Sequence, residues 1–225
     1  MSKTIVVTGG TKGIGRAIVQ RFYENGYKVI TCSRKESNLS ELKKDFPKVI
    51  VKVSDLSRKD EVMAFSEFVL ENTDQIDVLV NNTGVFFPGQ VHREDDGVLE
   101  AQIETNLYSA YHLTRAILPS MIQKKEGDVF NMCSIASVIA YPNGGSYSIS
   151  KFALYGMTKV LREEMKPHGI RVSAVLPGAT FTASWEGVDV DEDRLMPAED
   201  VAEAVWSAHT MSRRTVMEEI VVRPQ

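Results

Sequence analysis

The chain has 225 residues, 43% of them hydrophobic and 25% charged, with a formal net charge of −4 at pH 7. That length supplies one large core, and an acidic balance with scattered basic pairs excludes a nucleic-acid-binding footprint. Cys32 and Cys133 stand about a hundred positions apart and the four histidines are isolated, which excludes a disulfide scaffold, offers no metal-ligand spacing and suits a reduced cytoplasmic protein.

Along the chain, short β-branched runs alternate with segments of helical period. Residues 4–8, TIVVT, predict a strand, followed by a glycine-rich turn and a helix to Asn25 that Gly26 stops. Strands follow at 27–32 and 48–53, with no element assigned between them. A helix near 58–72 leads to a strand at 77–82. A helical stretch covers 98–124, and a strand follows at 127–134. A helix over 146–166, a strand at 170–177, a helix at 198–210 and a last strand at 218–224 complete the series. Strands this apolar, separated by helices, predict an α/β fold with one doubly wound parallel sheet of about seven strands and helices on both faces. The whole chain, 1–225, reads as a single domain. The first apolar run is too short for a signal peptide, and no run is long enough to span a membrane.

The least regular stretch is 178–196, with Trp185 and five acidic residues. A loop this long in a compact domain is expected to be a substrate lid; a disordered acidic surface loop is the alternative.

The first turn reads TGGTKGIG, residues 8–15. Glycines here permit a tight turn and let the backbone approach a diphosphate, while the helix start offers free N–H groups. Gly9, Thr11, Lys12, Gly13, Ile14 and Gly15 are therefore candidate cofactor contacts in a Rossmann-like sheet. At the end of the second strand, where an NAD binder places an acid, Ser33 and Arg34 appear instead. Arg34 and Lys12 can bracket a 2′-phosphate, which favours NADP(H) over NAD(H).

Residues 147–151 read YSISK, and the same spacing recurs as YGMTK at 155–159. Spacing alone does not choose between the two pairs. TGGTKGIG, NNTG (81–84), Ser134, YSISK and Pro177–Gly178, in this order, resemble the short-chain dehydrogenase/reductase family across nearly the whole chain. In that family an active tyrosine follows a strand-end serine by about a dozen residues. Ser134 lies thirteen positions before Tyr147, so the resemblance selects Tyr147. Tyr155 lies about two turns, roughly 12 Å, further along the helix and reads as packing or an oligomer face.

The resemblance implies hydride transfer between a nicotinamide and a carbonyl or alcohol. Tyr147 is the expected general acid, its pKa lowered by Lys151 one turn away. Ser134 holds the substrate oxygen, and Asn106 supports a proton path from the lysine. By the same carry-over, Asp55, Leu56, Asn82 and Gly84 seat the adenosine, Thr83 replacing the usual small apolar residue. Lys151 contacts the nicotinamide ribose, and Pro177, Gly178, Thr180 and Thr182 flank the nicotinamide. Phe86 and Trp185 are candidate substrate-pocket residues. The expected function is NADPH-dependent reduction of an aldehyde or ketone. A 3-oxoacyl-carrier-protein reductase, an NAD-dependent alcohol dehydrogenase and a non-catalytic NADP-sensing protein are the alternatives. The expected partners are a small-molecule substrate and further copies of the chain, as a homodimer or homotetramer, with no nucleic acid or membrane.

Overall fold

A computed structural model describes residues 3–181 and 195–225. Seven parallel strands form one sheet in the order β3-β2-β1-β4-β5-β6-β7. They are β1 (Thr4–Thr8), β2 (Lys28–Ser33), β3 (Ile50–Val53), β4 (Val78–Asn81), β5 (Gly127–Met132), β6 (Ile170–Pro177) and β7 (Glu219–Val222). The helices are α1 (Gly13–Glu24), α2 (Glu36–Asp45), α3 (Lys59–Asn72), α4 (Val98–Ile103), α5 (Ser109–Lys124), α6 (Gly145–Met165) and α7 (Ala198–Thr210).

The alternation of side chains along each strand builds two cores. Ile5, Val7, Val78 and Val80 face α1 and α7 with Ile18, Phe22, Val201 and Val205. Their neighbours Val6 and Leu79 face the other way, toward Phe65 and Val69 of α3 and Leu113 and Ile117 of α5. Because both faces are covered, the strands are apolar throughout, and that continuity is what predicts a parallel sheet.

Two departures from the sequence reading have physical causes. Helix α2 has only Leu39 and Leu42 buried; a mostly solvated helix gives little periodic signal. The stretch 98–124 is not one regular helix. Residues Glu104–Tyr108 form a π-helical turn between α4 and α5. Such turns concentrate at functional sites, and this one carries Asn106.

β1 pairs with β2 on one side and β4 on the other. Strand order therefore reverses at β1/β4, and the crevice beyond the carboxyl ends of these strands is where such sheets bind ligands. The turns after β1, β2, β4, β5 and β6 all open on that end.

Candidate active site

The glycine turn is built for close backbone approach. Gly9 and Gly13 have φ of +65° and +50°, a region that favours glycine. A Cβ on Gly15 would lie 2.4 Å from both the Gly9 carbonyl oxygen and Asn82 Nδ2. Gly10 lies against Thr31, whose Oγ1 accepts the Gly10 N–H at 3.1 Å and donates to the Val7 carbonyl at 2.6 Å. Lys12 precedes α1 and makes no side-chain cap, so no N-cap side chain competes with a diphosphate for the first N–H groups of the helix. These residues fit a dinucleotide.

Across the switch point, Asn82 Nδ2 donates to the carbonyls of Thr8 and Gly9 at 2.9 and 3.2 Å. Thr8 Oγ1 accepts from the backbone N–H groups of Asn82 and Thr83. The departure at Thr83 is accommodated, with its hydroxyl packed near Gly9. At the end of β2 the Thr11 hydroxyl donates to Ser33 Oγ at 3.4 Å. Lys12 and Arg34 are exposed, and among the described residues neither is ion-paired. Asp55 accepts from the Ser57 N–H and hydroxyl through one oxygen. Leu56 is 3% exposed and belongs to the core beneath the sheet.

At the end of β5 the chain turns at Ser134. Its Oγ accepts the Ala136 N–H at 3.1 Å, and its own N–H donates to Ser137 Oγ. The hydroxyl thus caps the following turn while its O–H remains able to donate. Tyr147, in the first turn of α6, meets it. Burial raises the Tyr147 phenol above the ordinary range, opposed by the hydrogen bond from Ser134. This corrects the expectation that Lys151 lowers it. Lys151 is itself buried, pushed down to about 8 by desolvation. Its Nζ donates to the Met132 carbonyl at 2.8 Å and lies 5.8 Å from the Tyr147 ring centre. Burial therefore prevails over the Ser134 hydrogen bond, and Tyr147 is a neutral proton donor at pH 7.

Asn106 is 1% exposed. Its Oδ1 accepts from Val85 N at 2.7 Å, and its Nδ2 donates to Val85 O at 3.0 Å and to Ser150 Oγ at 2.9 Å. Ser150 in turn donates to the Tyr147 carbonyl at 2.7 Å. Gly84 sits between Asn106 and Lys151, where a Cβ would lie 3.4 Å from the lysine Nζ. Sequence reading missed Ser150, although it stands inside YSISK.

Phe86 packs edge-on to Tyr147, ring centres 4.8 Å apart. Pro177 ends β6, and Gly178 N–H donates to Val222 O at 2.7 Å. Thr180 Oγ1 donates to the Gly178 carbonyl, and Thr180 bridges to Met196, closing the base of the 178–196 segment. Thr182 and Trp185 lie outside the described residues. The other pair is elsewhere: the Tyr155 hydroxyl donates to Glu219 on β7, with Lys159 Nζ 5.0 Å from its ring centre. Cys133 is buried and pushed up to about 11 by desolvation, an inert thiol.

A parallel sheet with a glycine turn at its switch point, and Ser, Tyr and Lys at a neighbouring strand end, is the construction of a dinucleotide-dependent oxidoreductase. The short chain dehydrogenase family pattern matches residues 3–193. The chain belongs to that family. It is 32% identical over 227 residues to an uncharacterized oxidoreductase of Staphylococcus saprophyticus, covering 99% of this chain and 97% of the relative. Among solved structures it resembles a metagenomic short-chain oxidoreductase in complex with NADP, at 31% identity and TM-score 0.87 over 99% of this chain and 97% of that one. It also resembles an alcohol dehydrogenase of the archaeon Thermococcus sibiricus complexed with 5-hydroxy-NADP, at 26% identity and TM-score 0.91 over 100% and 97%.

Proposed function

We propose that the protein is an NADPH-dependent reductase that converts an aldehyde or ketone to the alcohol, with Tyr147 as general acid. The observation that carries this reading is the meeting of Ser134, Tyr147 and Lys151 beside a glycine cradle shaped for a diphosphate. NADP(H) is the cofactor. When bound, it supplies the hydride.

The rest is the work of the chain. Gly9, Thr11, Lys12, Gly13, Ile14 and Gly15 hold the diphosphate, and Lys12 and Arg34, with Ser33, take the 2′-phosphate. Asp55, Leu56, Asn82 and Gly84 line the adenosine side. Pro177, Gly178 and Thr180 flank the nicotinamide, and Lys151 reaches its ribose. Ser134 donates its O–H to the substrate oxygen, supporting the charge that develops there. Tyr147 passes its phenolic proton to the same oxygen. Asn106 braces this geometry through Val85 and Ser150.

The aromatic wall of Phe86 beside Tyr147 favours an apolar carbonyl substrate. Tyr111 on α5 and Ile149, Phe152 and Val160 on α6 are exposed, which supports pairing of these helices in a homodimer or homotetramer. No helix among the described residues is long and apolar enough to cross a membrane; we place the enzyme in the cytoplasm. The test is a titration with NADPH and with NADH by reduced-nicotinamide fluorescence, then NADPH oxidation over a panel of aldehydes, ketones and diketones. Tight NADPH binding with turnover is expected. Stoichiometric binding without turnover on any carbonyl overturns the reductase reading.

A further inference from the structure

Glu94 lies in the loop between β4 and α4, residues 82–97, and has no part in the reading above. Its carboxylate leaves its own loop and docks on the first turn of α6. Oε1 accepts the Ser146 N–H at 2.9 Å, and Oε2 accepts from the Ser146 hydroxyl. The slot is cut to its shape. A Cβ on Gly145, at φ +36°, would lie 2.0 Å from Glu94 Oε1, and a Cβ on Gly89 would lie 2.7 Å from Glu94 Cγ. Around this contact the two segments are laced together. Gly89 N–H donates to Asn143 O at 3.1 Å, Gln90 Nε2 donates to Asn143 Oδ1 at 3.1 Å, and Gly89 pairs with Gly144 in a parallel bridge.

The N-cap of α6, Gly144, has no side chain to offer, so a carboxylate from another element satisfies a helix-start N–H and meets the positive end of the dipole. Ser146 is 2% exposed and directly precedes Tyr147. The same loop carries Phe86, which packs on the Tyr147 ring. One loop therefore holds both the Tyr147 ring, through Phe86, and the residue before it, through Glu94.

We propose that Glu94 is a positioning residue that staples the β4–α4 loop to the first turn of α6 and so keeps Phe86 packed over Tyr147. The inference rests on the assignment of Tyr147 as proton donor only for its catalytic meaning, because the staple itself is measurable without substrate. The raised phenol of Tyr147 agrees with a covered ring.

The experiment compares wild type, Glu94→Ala, Glu94→Gln and Ser146→Ala. One readout is amide hydrogen exchange in peptides covering 85–91 and 144–148. The other is the phenolate absorbance of Tyr147, taken as the difference from each protein carrying Tyr147→Phe in addition. Glu94→Ala is expected to speed exchange in both segments by about tenfold, the scale of losing a hydrogen bond to a charged group. It should also lower the Tyr147 titration toward the ordinary tyrosine range. Glu94→Gln, whose amide oxygen still accepts the Ser146 N–H, should recover most of both. Ser146→Ala removes one of the two contacts and should move both part way, which serves if Glu94→Ala does not fold. Faster exchange confined to 92–96 with an unmoved phenol overturns the proposal, as does Ser146→Ala leaving both readouts at their wild-type values. A failure of carbonyl turnover in wild type would sink the reductase reading and leave these readouts standing.

Discussion

The Lys151 ammonium donates to the carbonyl of Met132, the last residue of β5, at 2.8 Å. This bond anchors a charge inside the protein, where desolvation pushes the lysine from 10.5 down to about 8. Lys151 is therefore charged at pH 7 and loses its proton as pH rises through about 8, while Tyr147, raised by burial, stays protonated. Carbonyl reduction should accordingly fall as pH rises past about 8. Lys151→Arg, whose guanidinium keeps its charge, should shift the fall to higher pH, as read from kcat/KM against pH. The linkage has a sign as well. Folding favours neutral Lys151, so between about 8 and 10.5 this group makes stability rise with pH, and below about 8 its cost is felt in full.

Tyr147→Phe removes the proton donor and leaves the ring. The expected loss in kcat is about 10²- to 10⁴-fold, with NADPH affinity little changed. Tyr155→Phe, which removes only the link to Glu219 at an exposed site, should keep turnover near wild type. Steady-state kinetics of the two variants decides which Tyr/Lys pair is chemical.

Arg34→Glu places a carboxylate where the 2′-phosphate is expected. NADPH should bind about 10- to 100-fold more weakly, the range for losing a charge-assisted hydrogen bond, while NADH binding changes far less. Fluorescence titration at fixed salt measures both. Equal losses for the two nucleotides would reject the 2′-phosphate assignment.

Asp128, 1% exposed, sits at the opposite end of β5 from the site. It accepts from Arg171 at 2.6 and 2.7 Å, from Arg213 at 2.8 Å and from His209 Nδ1 at 2.5 Å, while His209 Nε2 meets the Tyr27 hydroxyl at 2.7 Å. Burial raises this carboxyl, but hydrogen bonds from Arg171 and His209 and the two guanidinium charges prevail and bring it down to about 2. A folded-state value below the ordinary 3.8 means stability that is present above pH 3.8 and drains away as pH falls toward 2. Asp128→Asn should cost about 3–5 kcal/mol by leaving buried cations unpaired. It should lower Tm by roughly 10 °C and flatten the acid limb of a stability–pH curve.

Much of this was legible in the residues because it depends on local spacing. The glycines of TGGTKGIG and the four-residue step of YSISK need no distant partner to be recognised. What escaped depends on contacts or on burial. Helix α2 turns most of its surface to water. The π-turn around Asn106 is a slip in backbone register that no side chain announces. The raised phenol of Tyr147 needs knowledge of what covers it. Glu94 reaches Ser146 across 52 positions of sequence, and nothing in either residue's neighbours marks the pair.

The ionic knot at Asp128 and the Ser134 turn are separated by the length of one strand, Gly127–Met132, roughly 20 Å at about 3.3 Å per residue. They share no partner. Costs at sites so far apart normally add. An engineer could therefore recut the loops around Tyr147 for a new carbonyl and recover the lost stability at the far end of the sheet, the two sets of changes being chosen separately and combined afterwards.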